Sequence, residues 1–417
     1  MSKVAVIGGG GRLGFKLSLV STSKGHKVSI IDINDERLNE IQNGCLPFIE
    51  HGAEIYLEQA LKNKLLTLSV DNNLISEAEI IIITIGTPVD SNLNPSLEPV
   101  AGIIFDLAEY LKKGQLIIFR NTISPELVNR IKTLLEDKTG LKVGKDIYLA
   151  FAPELNSEKI NINDLTNAPQ PIGVFDENSF KEAQTFFQTI TKGKITQLNP
   201  EEALLTKLMT NMFTYIQNAC ANEFYLISES YGANIHKILD ASKNEERAKK
   251  QELEIPNPNP NASGPGMHKE GWFLVDRNPF SDLITTAFKI NESIPAQIVK
   301  QLENYKLNKV AILGITNKPN SDDARSSLSY KLRKALFYKD YNVVCYDPYL
   351  PEFSDSSVLQ NADAVILMTP HDEFKDFDKI KNLVNNSNCL YVDISDFWEK
   401  LKNHSKKTGF HYLYYSK

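Results

Sequence analysis

Short Val- and Ile-rich runs alternate with helical stretches along the first 150 residues. Residues 4–7, 27–31, 80–85 and 116–119 are apolar runs bounded by Gly, Asp or Pro, and helical patterns fill 35–42 and 100–111 between them. Strand–helix–strand alternation predicts a parallel sheet covered on both faces. Residues 148–150 and 171–174 read as further strands of the same lobe.

Near residue 200 the pattern changes to one long helix. Asn199-Pro200-Glu201-Glu202 gives it an N-terminal cap with Pro in the first turn, and no Gly or Pro follows until Gly232. A helix of this length is able to span a domain or a dimer interface. Residues 251–266 carry Pro at 256, 258, 260 and 265, which predicts a loop. Residues 294–305 read as a connecting helix. A second α/β pattern then begins, with strands at 309–313, 342–346, 364–368 and 389–392 and a helix at 327–338. The expected fold class is α/β, with two Rossmann-like, doubly wound lobes joined by a long central helix.

Composition narrows the function. The chain has 417 residues, 42% of them apolar, and a formal net charge of −6. It is long enough for two or three domains. The acidic balance offers no basic footprint for nucleic acid or anionic lipid. No apolar run reaches the ~20 residues of a membrane helix, and no targeting segment is visible at the N-terminus. Cys45, Cys220, Cys345 and Cys389 are too few and too far apart for a disulfide scaffold or a zinc knuckle. These features predict a cytoplasmic protein with no metal site.

The first chemical signal lies at the N-terminus. Gly9, Gly11 and Gly14 satisfy G-x-G-x-x-G between a strand and a helix, and Asp32 ends the next strand. That context marks a dinucleotide fold. Glycines let the backbone approach a pyrophosphate, and the helix N-terminus around Arg12 and Leu13 supplies oriented N–H groups. A carboxylate at Asp32 accepts from a ribose 2′-OH and repels a 2′-phosphate, which favours NAD. Arg37 joins this candidate cofactor set.

An ordered series of motifs resembles the UDP-glucose/GDP-mannose dehydrogenase family. IGGGGRLG is followed by ITIGTPV (83–89), RNTISP (120–125), APEL (152–155), KLMTN (207–211) and KPNSDDARSS (318–327). NGCLPFIEHG (43–52), YDPYLP (346–351) and ADAVILMTPHDEF (362–374) extend the match over nearly the whole chain. The resemblance implies an NAD-binding lobe over 1–198 and a dimerising central domain over 199–295, like the middle domain of 6-phosphogluconate dehydrogenases. The latter carries an active-site loop at 251–276, and a nucleotide-sugar lobe follows over 296–417. It implies oxidation of the C6 hydroxymethyl of a nucleotide sugar by NAD in a homodimer, with products that feed surface polysaccharides.

The resemblance also assigns candidate residues. Lys207 and Asn211 lie four apart and share a helix face; an ammonium and an amide together hold a developing alkoxide. Glu154 matches the family residue that helps activate water, Thr122 one that orients it, and Asp276 the aspartate after the catalytic cysteine. Thr87 and Pro88 match the turn that lines the nicotinamide, with Thr122 beside them. Leu155, Gly264, Gly266, Lys318 and Arg325 complete the expected substrate set. Lys318 and Arg325 occupy a strand–helix connection, where α/β lobes bind phosphates.

One departure from the family is visible. Its catalytic cysteine sits in a Gly-rich motif, but here the stretch reads GPGMHKEGWFLVD (264–276). Anchored on Asp276, the cysteine slot holds Trp272; anchored on Gly264 and Gly266, it holds Gly271. A thiolate traps the aldehyde so that a second hydride leaves, and neither residue supplies one. Cys220 lies thirteen residues beyond Lys207, about 20 Å along a helix, while Cys45, Cys345 and Cys389 read as buried small hydrophobes. Two-electron oxidation is therefore the leading expectation, with His268 or Lys269 as candidate base. The others are a four-electron enzyme with another trapping group, an inactive NAD- or sugar-nucleotide-binding homologue, and a β-hydroxyacid-type dehydrogenase. Arg247 is a candidate for an arginine supplied across the dimer.

Overall fold

The computed structural model describes residues 1–87, 98–155, 161–242, 255–275, 278, 281–398 and 413–415. They form two compact units, Met1–Thr210 with Trp272–Arg277, and Asn211–Gly271 with Asn278–Lys417.

The first unit is built on an eight-stranded sheet of β1 (Lys3–Ile7), β2 (Lys27–Ile31), β3 (Leu66–Ser69), β4 (Ile80–Ile83), β5 (Leu116–Phe119), β6 (Tyr148–Phe151), β7 (Gln170–Val174) and β8 (Ile195–Leu198). The strand order is β3-β2-β1-β4-β5-β6-β7-β8, and only β6 and β7 pair antiparallel. Helices α1 (Arg12–Ser23), α2 (Asp35–Gln42), α3 (Ala53–Lys62), α4 (Glu98–Ala108), α5 (Val128–Thr139) and α6 (Glu177–Ile190) connect the strands. All four isoleucines of β4 are buried, as expected for a strand covered on both faces. Each contributes about 1.5–3 kcal/mol relative to exposure. The core of α1 is rich in hydroxyls, which its own turns satisfy: Ser18 donates to the Gly14 carbonyl at 2.8 Å and Ser21 to that of Leu17 at 2.7 Å. Chain order reverses between β1 and β4, and ligand crevices of open α/β sheets form at such points.

Helix α7 (Pro200–Ser230) opens on the expected cap. Asn199 Oδ1 accepts from the Glu202 amide at 2.8 Å, and Glu202 Oε2 accepts from the Asn199 amide at 3.0 Å. The two orphan donors are thus satisfied reciprocally.

The second unit contains α8 (Ile235–Ser242), most of α9 (Pro265–Val275), α10 (Asp282–Leu302), α11 (Leu328–Phe337) and α12 (Phe377–Val384). Its sheet has the order β10-β9-β11-β12-β13, from β9 (Lys309–Leu313), β10 (Asn342–Tyr346), β11 (Ala364–Leu367), β12 (Leu390–Val392) and β13 (Leu413–Tyr415). Only β12 and β13 pair antiparallel.

The Pro-rich stretch is irregular over 255–264, as its prolines require, but it is firmly tied. Asn222 on α7 donates to the Asn259 carbonyl at 3.0 Å and accepts from the Asn259 amide at 2.9 Å. Asn261 donates to the Thr316 carbonyl and to Thr369 Oγ1, both at 2.9 Å, and accepts from the Leu328 amide at 2.8 Å. The rest of the expected active-site loop differs from expectation. Residues 265–275 form helix α9, because replacement of the motif's glycines by Lys269 and Glu270 supplies good helix formers. Cys45 also departs from the reading: it is exposed in the turn after α2, whereas Cys345 and Cys389 are buried and Cys220 is half-buried.

Candidate active site

In the first unit the glycine turn follows β1 and runs into α1. Gly11 is the N-cap, and no side chain caps this terminus. A Cβ on Gly14 would lie 2.5 Å from Thr84 Oγ1 and 2.6 Å from the Gly9 Cα, so only glycine lets α1 pack this close. A Cβ on Gly10 would meet Asp32 Oδ2 at 2.9 Å. The Asp32 carboxylate, half-buried after β2, accepts from the Gly10 amide at 2.9 Å and from the Asn34 amide at 3.1 Å. Arg12 lies over the Phe48 ring at 4.7 Å, and Leu13 beside it is half-buried. Arg37 is half-buried in the first turn of α2, its Cδ 3.3 Å from where a Gly10 Cβ would stand. Side-chain-free backbone, an open helix N-terminus and a carboxylate beside it fit a dinucleotide.

Several polar groups converge beyond the C-terminal ends of β4, β5 and β6. The Thr87 hydroxyl donates to the Thr122 carbonyl. Lys207, 6% exposed, donates to the Glu154 carbonyl at 2.9 Å. The Glu154 carboxylate faces Arg120 at 3.9 Å, both side chains being almost wholly buried. Thus Thr87, Thr122, Glu154 and Lys207 share one end of one unit.

Arg120 is the residue that sequence reasoning passed over. It donates to the Ala152 carbonyl at 2.8 Å and to Gln170 Oε1 at 2.5 Å, and its guanidinium lies 5.5 Å from the Phe187 ring. Burial lowers its pKa and the Glu154 charge opposes that shift. The RNTISP motif contained the signal, but a guanidinium beside a sheet reads equally well as exposed.

In the second unit Asn211 lies one turn after Lys207 on α7. Its Nδ2 donates to Glu270 Oε2 on α9 at 2.7 Å, and Glu270 is only 1% exposed. Gly264 is left-handed at φ +141° with nothing near its missing Cβ, while a Cβ on Gly266 would lie 3.2 Å from Glu270 Oε1. At Gly271, one of the two cysteine slots, a Cβ would lie 3.1 Å from Met212 Sδ and 3.2 Å from Ile284 Cγ2. Trp272, the other slot, is half-buried. His268 is within α9.

The loop after β9 carries Lys318 and Arg325. Arg325 grips Asp323 through two bonds, Nε to Oδ1 at 2.8 Å and Nη2 to Oδ2 at 2.7 Å, so its fork shapes the loop itself. Lys318 is half-buried on the same loop. Beneath it lie Asp347 and His371, both fully buried. Leu155 is half-buried, and Pro88, Arg247 and Asp276 lie outside the described residues. The thiols of Cys345 and Cys389 are pushed by burial to about 11 and about 12, far from the thiolate form.

Comparison with known proteins agrees with this geometry. Residues 2–191 match the NAD-binding domain of the UDP-glucose/GDP-mannose dehydrogenase family, residues 201–293 its central domain and residues 311–400 its UDP-binding domain. A UDP-N-acetyl-D-mannosamine dehydrogenase of Pyrococcus horikoshii is 30% identical over 385 residues, covering 89% of this chain and 90% of that one. One from Methanocaldococcus jannaschii is 29% identical over 418 residues, 95% and 94% of the two chains. The solved UDP-D-ManNAc dehydrogenase of Pyrococcus horikoshii superposes with a TM-score of 0.85 at 28% identity, covering 98% of this chain and 97% of that one. A 3-hydroxyisobutyrate dehydrogenase of Mycobacterium tuberculosis shares the fold, with a TM-score of 0.50 at 17% identity over 71% of this chain; the family matches above do not favour the β-hydroxyacid alternative. Among the described residues no helix is long and apolar enough to cross a membrane. With the family's NAD-binding, central and UDP-binding domains all matched, the chain belongs to the UDP-glucose/GDP-mannose dehydrogenase family.

Proposed function

We propose that this protein oxidises a primary hydroxyl of a UDP-linked sugar to the aldehyde, passing one hydride per sugar to NAD. When bound, NAD⁺ supplies the hydride acceptor. The glycine turn and the α1 N-terminus take the pyrophosphate, Asp32 the adenosine ribose diol, and Thr87, Pro88 and Thr122 the nicotinamide side. Lys207 and Asn211 serve the reacting oxygen and Glu154 and Leu155 the sugar; Gly264, Gly266 and Asp276 complete the proposed substrate and catalytic set. Lys318 holds the nucleotide, with Arg325 keeping its loop in shape. The names of the relatives support 2-acetamido sugars as the substrates to try first. The domain division at 198/199 and 295/296 belongs to the same reading, as does a place in surface-polysaccharide precursor metabolism.

The observation that carries the reading is the position of Lys207. Its ammonium is buried and held by the Glu154 main chain, so it is fixed in place to stabilise an alkoxide. The one-hydride limit follows from the missing thiol. The decisive experiment mixes the protein with NAD and a panel of UDP- and GDP-sugars and counts NADH per sugar consumed. One is expected. Two would overturn the limit; none, with NAD still bound, would leave a binding homologue.

A homodimer in the cytoplasm completes the proposal. Met209, Phe213, Phe224 and Ile227 are 56%, 52%, 36% and 48% exposed, at intervals that keep them on one face of α7. Tyr231 continues the stripe at 83% exposure. Such a row, about 33 Å long, suits a second copy of the same helix. Light scattering of the wild type should give twice the chain mass, and Phe213→Glu with Ile227→Glu should give the chain mass. Four unpaired cysteines suit a reducing compartment.

A further inference from the structure

We infer that Arg120 is a positioning residue of this site: with Gln170 it holds residues 152–154 in place, and through the Glu154 carbonyl it fixes the Lys207 ammonium. The inference rests on the reading above and deepens it. All of its residues belong to the first unit.

The sheet sets the arrangement up. β5 and β6 run parallel with Phe119 paired to Phe151, so Arg120 leaves the sheet beside Ala152. The Ala152 amide donates to the Phe119 carbonyl at 2.9 Å, and the Arg120 amide to the Ile83 carbonyl at the end of β4, also at 2.9 Å. The main chain of the arginine is thus anchored before its side chain acts. From there Nη1 donates to the Ala152 carbonyl at 2.8 Å and to Gln170 Oε1 at 2.5 Å. Gln170, the first residue of β7, carries the grip onward. Its Nε2 donates to the Pro171 carbonyl at 2.8 Å and reaches the Pro153 carbonyl at 3.4 Å. Nη2 faces the Glu154 carboxylate at 3.9 Å. Three consecutive residues are therefore held from one buried pair of side chains, and Pro153 among them has a fixed φ.

Lys207 is tied to the end of this segment, its Nζ donating to the Glu154 carbonyl at 2.9 Å. A carbonyl holds an ammonium only as firmly as its own peptide is held, and a misplacement of about 1 Å at a reacting group costs about 10²-fold in rate. An apolar side chain in place of Arg120 would pack on Phe187 without taking a charge out of water. What the guanidinium adds is a rigid fork of donors. Its buried Nε has no hydrogen-bond partner among the described residues, a cost that accompanies the orientation bringing Nη1 and Nη2 to residues 152–154.

Two variants test this. Arg120→Lys keeps a charge beside Glu154 and loses the fork; Gln170→Leu leaves every charge in place. The readout is acylation of lysines in the native protein by N-hydroxysuccinimidyl acetate, mapped by peptide mass spectrometry. Lys207 should acylate about tenfold faster in both variants than in wild type, the factor expected when a charge-assisted hydrogen bond is loosened. Lys16, as deeply buried on α1 beside Glu50, should keep its wild-type rate. Turnover should fall about tenfold while KM for NAD stays within about twofold. If Lys207 reacts at the wild-type rate in both variants, the inference fails. If Lys16 and Lys207 speed up together, Arg120 supports the unit as a whole and the inference also fails. Faster acylation of Lys207 alone, with wild-type NADH formation, supports the positioning and defeats instead the role given to Lys207 in the reading above.

Discussion

His371 and Asp347 meet at 3.1 Å inside the second unit, with neither side chain exposed. His371 Nδ1 accepts from the Asn320 amide at 2.9 Å, which leaves its Nε2–H for Asp347 Oδ2. The same Oδ2 accepts from the Ile315 and Thr316 amides at 2.7 and 3.0 Å. The pair therefore clasps the chain on both sides of Lys318, at residues 315, 316 and 320. It sits at the point where chain order reverses between β9 and β11. Replacing His371 with Ala should loosen this loop, raise the KM for the UDP-sugar about tenfold and leave NAD affinity unchanged. Steady-state kinetics and NAD calorimetry check both halves.

Asp347 also sets a pH dependence. Burial pushes its pKa up, but the His371 hydrogen bond and the Thr316 and Tyr349 amides outweigh it, and the net shift is downward. A lowered carboxylate stabilises the fold above its unfolded value near 4 and loses that contribution as pH falls through the lower folded value. Denaturant melts of wild type and Asp347→Asn should differ most at neutral pH and converge below about pH 4.

Glu229 on α7 behaves in the opposite way. Burial pushes it up to about 7, and its Oε1 has no hydrogen-bond partner among the described residues. A raised carboxylate favours the fold at acid pH and costs stability as pH rises past its unfolded value and through about 7. Solvent screening at this partly exposed side chain limits the cost to about 1 kcal/mol at pH 8. Glu229→Gln should raise the melting temperature at pH 8 and have little effect at pH 5.

Asp32 is expected to govern cofactor choice. Asp32→Ala removes an acceptor for the ribose diol and a charge that repels a 2′-phosphate. NAD affinity should weaken about tenfold, or ~1.4 kcal/mol, and the preference over NADP should shrink. Calorimetry with both cofactors measures each term.

Because none of the four cysteines is placed in the chemistry, replacing all four by Ser or Ala should leave NADH formation per enzyme within about twofold of wild type, a change of no more than ~0.4 kcal/mol. A loss of turnover that tracks one cysteine would return sulfur to the mechanism.

Much of this was legible along the chain. The ten apolar runs read as strands all form strands within a residue or two, because runs of Val and Ile flanked by Gly and Asp have few other solutions. The Gly9–Gly14 turn with Asp32 was equally clear, since its glycines are demanded by close approach. Helices α3, α5 and α6 and strands β3 and β8 were passed over; β8 is only partly buried and its Ile-Thr-Gln-Leu pattern is short. The burial of Arg120 and Glu270 was hidden for another reason. Each is a charged side chain whose burial depends on partners far away in sequence, Ala152 and Gln170 for one and Asn211 for the other. Local pattern carries no trace of such pairings. Helix α9 was missed because a loop expected from the family's glycines was carried over to a segment that no longer has them.

The tight fit around Gly271 bears on how this site is able to change. A thiol introduced there would press on Met212 and Ile284, which would each have to give by a few tenths of an ångström. A Gly271→Cys exchange therefore asks its neighbours to give, and pairing it with Met212→Ala relieves the closer contact. The packing acts as a gatekeeper: the helix admits a thiol at this position most readily together with a smaller neighbour.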